Sequence, residues 1–287
     1  MAGSAAMTFL PRADGFDWRN FGVRAASGVV LASATLWAVL VFHRPPGLAG
    51  APYLVMIAVA GALLSFEWST MASPAHARGA AILTTLAVVA VVILGYEGRY
   101  AQAWICVGIG AAVVGVLAKA VGAAAVDAAY GVLYIAPAGL LLVWLVETQQ
   151  GAGWTLMLFA TTWAADIAAF LVGNLFKGPK LWPRFSPNKT WSGFAGGLCA
   201  AGLAAVCVAA GFMRLSLAGA ALIGLLGGLA TMAGDLWESI LKRRFGVKDS
   251  GDLIPGHGGL LDRVDGLMFA VVVFAGARLF VHLGWAH

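Results

Sequence analysis

The stretch Leu215-Ser-Leu-Ala-Gly-Ala-Ala-Leu-Ile-Gly-Leu-Leu-Gly-Gly-Leu-Ala-Thr-Met-Ala-Gly234 carries no charge over twenty residues and runs directly into Asp235-Leu-Trp-Glu238-Ser239-Ile-Leu-Lys242-Arg243-Arg244. About twenty apolar residues make one helical bilayer crossing. If that helix continues past Gly234, then Asp235, Glu238, Ser239 and Lys242 fall at i, i+3, i+4 and i+7 and share one stripe. The alternative is a solvated helix end whose bases meet lipid headgroups.

The rest of the chain is of the same kind. Of 287 residues, 61% are hydrophobic and 11% charged, less than half of the roughly 25% charge of an ordinary soluble domain. One soluble core cannot hide that much apolar surface, so the fold class is all-α, a polytopic integral membrane protein. We read about nine transmembrane helices: Ala25–Phe42, Gly47–Phe66, Gly79–Tyr96, Ala101–Ala118, Ala128–Val146, Trp154–Gly173, Phe194–Met213, Leu215–Gly234 and Val264–Leu283. Residues 1–146 form an N-terminal transmembrane region of about five spans. Residues 147–287 form a C-terminal catalytic region of about four spans with two polar loops. The pairs Gly193/Gly197 and Gly224/Gly228 have the spacing of close helix packing. Residues 1–20 show no cleavable signal pattern, so the first span is read as a mature helix. Cys106, Cys199 and Cys207 sit in apolar runs without CxxC spacing, which indicates neither disulfides nor zinc.

Charge placement gives the sidedness. Arg12, Arg19, Arg24, Arg78, Lys119 and the basic residues of Asn174–Gly193 and Asp235–Arg263 put 14 of the 18 bases on one side. By the positive-inside rule that side is cytoplasmic, with the N-terminus in and, for nine spans, the C-terminus out. Both long polar loops lie there, so the active site is expected on the cytoplasmic face.

Beyond Arg244 the chain reads Lys248-Asp249-Ser-Gly-Asp252-Leu-Ile-Pro255-Gly256-His257-Gly258-Gly259-Leu-Leu-Asp262-Arg263-Val-Asp265. Glycines let a backbone approach an anion closely, and a helix N-terminus offers free N–H groups to phosphate. Carboxylates in the same place repel phosphate unless a divalent cation stands between, and hard oxygen donors suit Mg²⁺.

From Ser239 to Asp265 the sequence resembles the signature of the phosphatidate cytidylyltransferases, or CDP-diacylglycerol synthases: S-x-x-K-R-x-x-x-x-K-D-x-G-x-x-x-P-x-H-G-G-x-x-D-R-x-D. All thirteen fixed positions are met over 27 residues, by Ser239, Lys242, Arg243, Lys248, Asp249, Gly251, Pro255, His257, Gly258, Gly259, Asp262, Arg263 and Asp265. A second block resembles the family's intramembrane Asp followed by a Ser-Pro-x-Lys-Thr loop: Asp166, then Ser186-Pro187-Asn188-Lys189-Thr190. A carboxylate inside a span is costly and points to function, with a helix-packing hydrogen bond as its ordinary alternative. Lys177 stands where many members have glycine, and Ser192 where they usually have glutamate. The first five spans match only in hydropathy and number.

The resemblance implies the reaction of CTP with phosphatidate to give CDP-diacylglycerol and pyrophosphate in phospholipid biosynthesis, with Mg²⁺, possibly as a two-cation site. It implies Asp235 and Asp262 as metal ligands, with Asp249 and Asp265 as second choices. Lys242, Arg243, Lys248 and Arg263 are expected on the phosphates of CTP or of the lipid. His257 is expected either to bind a phosphate, to protonate the leaving pyrophosphate, or to organise the turn. Ser186, Lys189, Thr190, Ser239, Gly258, Gly259 and Asp166 complete the expected substrate site. The partners are CTP and phosphatidate in the bilayer, with no nucleic acid. A homodimer is consistent with the family, and the Ala/Gly-rich composition suggests a bacterial inner membrane.

Two rival classes differ in chemistry. A CTP-dependent polyprenol or lipid kinase releases CDP rather than pyrophosphate. An ion-coupled transporter would use Asp127 and Asp166 as midplane sites, but no inverted repeat is evident. An alcohol-phosphatidyltransferase is excluded because Asp265-Gly266 is followed by Leu-Met-Phe-Ala instead of its required pattern. P-loop, GxSxG and HExxH motifs are absent.

Overall fold

The computed structural model describes residues 30, 33–39, 51–148, 150–183, 185–254 and 258–283. Eight helices in it are long and apolar enough to cross a membrane. They are α1 (Ala51–Ala72), α2 (Ala77–Tyr96), α3 (Tyr100–Ala120), α4 (Ala125–Glu147), α5 (Gly151–Phe176), α6 (Trp191–Phe212), α7 (Leu217–Arg244) and α8 (Leu261–His282). They correspond to the second to ninth expected spans. Of the first span, Ala25–Phe42, residues 33–39 are helical and the remainder, apart from residue 30, lies outside the described residues.

The chain is an integral membrane protein, and its surface shows why. Large apolar side chains point outward all along the helices, among them Leu86, Ile105, Val116, Phe170 and Leu222. In water such a surface would drive association, whereas lipid tails cover it at no cost. One apolar core runs through the interior from Tyr53 of α1 to Phe274 of α8. The central member is α4, which packs against α1, α2, α3, α5 and α8.

Small residues bring the C-terminal helices together, as the glycine spacings led us to expect. A Cβ at Gly193 would stand 2.6 Å from the Ala169 carbonyl oxygen of α5, and one at Gly224 would stand 2.7 Å from that of Ala201 on α6. Where α7 meets α8, a Cβ at Gly266 would meet the Thr231 carbonyl oxygen at 3.0 Å, and Gly234 lies against the Asp265 carbonyl.

The helices alternate in direction, so the turns after α1, α3, α5 and α7 share one end of the bundle. Contacts confirm it: Ser73 Oγ accepts from the Ala124 amide at 3.1 Å, and Trp68 Nε1 donates to the Asp127 carbonyl at 2.8 Å. The bases of the two long loops, with Arg78 and Lys119, therefore gather at one end. The loop after α5 is not wholly irregular: β1 (Lys180–Trp182) and β2 (Ser186–Thr190) form an antiparallel hairpin there.

Two boundaries depart from the expected spans. The segment expected to stop at Phe66 continues as helix α1 to Ala72, carrying Glu67 into the protein interior. Helix α7 runs ten residues beyond Gly234, to Arg244. The helical stripe inferred for Asp235, Glu238, Ser239 and Lys242 is therefore real.

Candidate active site

The site forms where α5, α7 and α8 meet β2 at the loop-bearing end. Two ion-paired groups make it up. In the first, Lys189 Nζ, from β2, lies 2.7 Å from Asp235 Oδ2 on α7. Asp166 of α5 interacts electrostatically with Asp235, Lys189 and Arg263. Asp265, one turn into α8, lies close to Asp235 and Glu238. That proximity follows from the absence of side chains at Gly234 and Gly266, where α7 and α8 touch backbone to backbone.

In the second group Lys242 bridges two helices. Its Nζ lies 3.0 Å from Glu238, one turn earlier on α7, and forms an ion pair with Asp262 of α8. The other oxygen of Asp262 gathers the loop: it accepts from the Ser250 amide at 3.0 Å, from Ser250 Oγ at 2.8 Å and from the Gly259 amide at 3.3 Å.

Sequence reasoning missed Glu67. Its carboxylate is buried and accepts from the Leu260 amide at 2.8 Å and the Leu261 amide at 2.7 Å. These are the free N–H groups at the start of α8 that were expected to meet phosphate. They meet a protein carboxylate instead, because buried amides require a partner and a negative charge at a helix N-terminus is favoured. Gly258 and Gly259 serve the same construction. Gly258 has φ +79°, and a Cβ at Gly259 would collide with Ser250 Oγ. The signal for Glu67 was present: a carboxylate at the end of an apolar run, the same argument that singled out Asp166.

Other expected site residues lie around this centre. Thr190 caps α6, its Oγ1 accepting from the Gly193 amide at 3.1 Å. Ser239 Oγ donates back to the Asp235 carbonyl at 2.8 Å. Ser186 is half-buried in the hairpin, while Arg243, Lys248, Asp249 and Arg263 are exposed. His257, with Pro255 and Gly256, lies outside the described residues.

The two departures from the family pattern touch each other. Lys177 has φ +53°, a backbone conformation that favours the glycine of other members, and its carbonyl accepts from Ser192 Oγ.

Among the described residues no three His, Cys, Asp or Glu side chains stand together as a ready metal cage. The expected direct metal ligands are instead ion-paired, Asp235 with Lys189 and Asp262 with Lys242. The charge balance nevertheless suits a divalent cation. Five carboxylates (Asp166, Asp235, Glu238, Asp262 and Asp265) face Lys189, Lys242 and Arg263, with Glu238 and Asp265 side by side. The donor set is hard oxygen throughout.

Comparison with known proteins gives the family. The model of the cytidylyltransferase family matches residues 22–281. A phosphatidate cytidylyltransferase of Brucella suis biovar 1 (strain 1330) is 43% identical over 143 residues, 49% of this chain and 53% of the relative. One of Pseudomonas aeruginosa (strain PAO1) is 46% identical over 161 residues, 54% and 57% of the two chains. One of Staphylococcus saprophyticus is 40% identical over 147 residues, 50% and 56%. The matched part spans about half the length of these relatives. With the family match covering nearly the whole sequence, the chain belongs to the cytidylyltransferase family.

Proposed function

We propose that the protein is a phosphatidate cytidylyltransferase. An oxygen of the lipid phosphate attacks the α-phosphorus of CTP, the bond from that phosphorus to the bridging oxygen breaks, and pyrophosphate leaves. The observation that carries this reading is the convergence of two lysines and five carboxylates from three helices and a hairpin at one end of a lipid-facing bundle. A lipid substrate reaches such a site from the bilayer and a soluble nucleotide reaches it from the water.

The phosphomonoester of phosphatidate is already ionised near neutral pH, so no strong base is required. Catalysis then consists of holding two anions in line and offsetting their repulsion. Lys242, Arg243, Lys248 and Arg263 contact phosphates, and Lys189 turns from Asp235 to a phosphate oxygen as substrate enters. Ser186 and Thr190 hold the nucleotide or the lipid headgroup. Asp235 and Asp262 would hold Mg²⁺, supported by Asp265 and, from the loop, Asp249. Bound there, the cation supplies charge neutralisation at the attacked phosphate and the departing pyrophosphate.

The site faces the cytoplasm of a bacterial inner membrane in this reading, supported by the expected placement of 14 of the 18 basic residues on one side by the positive-inside rule. A homodimer belongs to the same proposal. The test is conversion of CTP and phosphatidate to CDP-diacylglycerol and pyrophosphate by membranes carrying the protein. Asp235→Asn should remove nearly all turnover while the protein still inserts; near-normal turnover by that variant overturns the site.

A further inference from the structure

Helix α7 shows two faces along its length. Ile223, Gly224, Gly227, Gly228 and Thr231 are buried against its neighbours. On the other side Leu222, Leu225, Leu229 and Ala233 are exposed, and the same helical spacing leads on to half-buried Ile240 and exposed Arg243. Positions three, four and seven apart share one face of a helix. This outward stripe is thus apolar through the bilayer and basic at its loop-bearing end. From Leu229 to Ile240 it rises about 16 Å, close to one leaflet of a hydrocarbon core about 30 Å thick.

At that end the stripe enters a cleft of about 390 Å³ lined by Phe185, Ile240, Arg243 and Arg244, the size of a small-ligand site. One wall is α7 and the other is the tip of the β1–β2 hairpin. The hairpin lies along the helix. Lys189, toward its base, pairs with Asp235, while Phe185, at its tip, meets the cleft beside Ile240, about 7.5 Å further along α7. The same two walls therefore hold reaction-centre residues at one end and the cleft at the other.

The cleft is positively charged. Arg244 is held by Asp127 of α4, with its guanidinium 5.3 Å from the centre of the Phe245 ring. Arg243 donates to the Val247 carbonyl at 3.4 Å, and no carboxylate among the described residues pairs with it. A guanidinium suits phosphate through its forked donors. A lipid phosphate satisfies both the charge and the apolar approach, whereas a nucleotide would leave water for a mouth that opens on Ala233 and Leu229.

We propose that phosphatidate approaches the reaction centre along the outward stripe of α7 and docks first in this cleft. An acyl chain lies on Leu229 and Ala233, the glycerol against Phe185 and Ile240, and the phosphate on Arg243; the headgroup then passes between helix and hairpin to Lys189 and Asp235. Phe185, Ile240 and Arg244 are not among the fixed positions of the signature, so the motif does not mark this subsite. The inference rests on the reading of the protein as a phosphatidate cytidylyltransferase.

The test places one cysteine in the cleft, Ile240→Cys, and one on the exposed face of α2 at similar depth, Ile82→Cys, each with Cys106, Cys199 and Cys207 replaced by alanine. The rate of modification by a thiol reagent is read in purified full-length protein without ligand and with phosphatidate, phosphatidylcholine or CTP. Phosphatidate at about ten times its Kd should slow modification of Ile240→Cys roughly tenfold, as occupancy requires, and leave Ile82→Cys unchanged. Phosphatidylcholine and CTP should alter neither. Arg243→Gln should raise KM for phosphatidate roughly tenfold or more, the scale of a hydrogen bond between charged groups, and leave KM for CTP within about twofold. Slowing by CTP in place of phosphatidate, or a rise in KM for CTP alone, assigns the cleft to the nucleotide and overturns the proposal. Equal slowing at Ile82→Cys, or by phosphatidylcholine, makes the contact one of bulk lipid and also overturns it. Normal turnover by wild type with no protection at Ile240→Cys removes the docking site and leaves the transferase reading standing. A wild type that makes no CDP-diacylglycerol from CTP and phosphatidate overturns that reading, and this proposal with it.

Discussion

Removing the carboxylate of Glu67 strips the amides of Leu260 and Leu261, 193 and 194 residues further along the chain, of their acceptor. Both donors are then left unpaired at a buried helix start. Glu67→Ala should cost about 3 kcal/mol, read as a lowered unfolding midpoint in detergent, and should loosen the loop enough to depress turnover. Lys177 gives the opposite sign. Its side chain stands on a backbone with φ +53°, a conformation that costs a non-glycine residue about 1 kcal/mol or more. Lys177→Gly should raise stability by about 1 kcal/mol, and a loss of stability would show that the lysine has an offsetting contact. The departure at 177 was legible in the sequence, but its meaning was not, because only the fold reveals the dihedral. The roles of Asp262 and Gly259 were only half legible: the spacing marked them as site residues, while the bonds that Asp262 accepts from Lys242, Ser250 and the Gly259 amide depend on a loop that returns on itself.

At the scale of elements, the geometry of the site depends on how closely α7 approaches α8. A Cβ at Gly234 would collide with the Asp265 carbonyl, which is backbone and cannot swing aside. Gly234→Ala should separate the helices there, shift Asp235 relative to Asp265 and lower kcat on the order of 100-fold, as a displacement near 1 Å does. Gly276→Ala, further along α8 where nothing lies within 4 Å of the added carbon, should be close to neutral. Equal effects from the two variants, measured in the same assay, would deny the contact its importance. The helices themselves were legible because runs of apolar residues near bilayer length leave little choice of structure. Their ends were less so. Hydropathy stopped one span at Phe66 because Glu67 follows, although that glutamate finds its partners inside the protein. The β1–β2 hairpin has no alternating apolar pattern in Lys180–Trp182 and Ser186–Thr190 and could not be read from sequence at all.

For the whole molecule, charge is distributed by end. The turns after α1, α3, α5 and α7 carry the bases and the site, while the short turn at Glu97 lies at the opposite end. With Cys106, Cys199 and Cys207 replaced by alanine, Asp252→Cys should react with a membrane-impermeant thiol reagent only after cells are opened, and Glu97→Cys should react in intact cells. The reverse pattern would invert the proposed orientation. The eight described spans were legible from composition. The joining of the two halves was not, since the bonds of Glu67 to the Leu260 and Leu261 amides and the packing of Trp68 on Phe245 have no local sequence pattern. The central claim is cytidylyl transfer to a lipid phosphate, and its most direct test is the fate of each CTP phosphate in purified protein supplied with Mg²⁺ and phosphatidate. Label in the α-phosphate of CTP should enter the lipid with one pyrophosphate released per lipid formed, and Asp235→Asn should give almost none. Label entering the lipid from the γ-phosphate, with release of CDP, would make the protein a kinase and contradict the account.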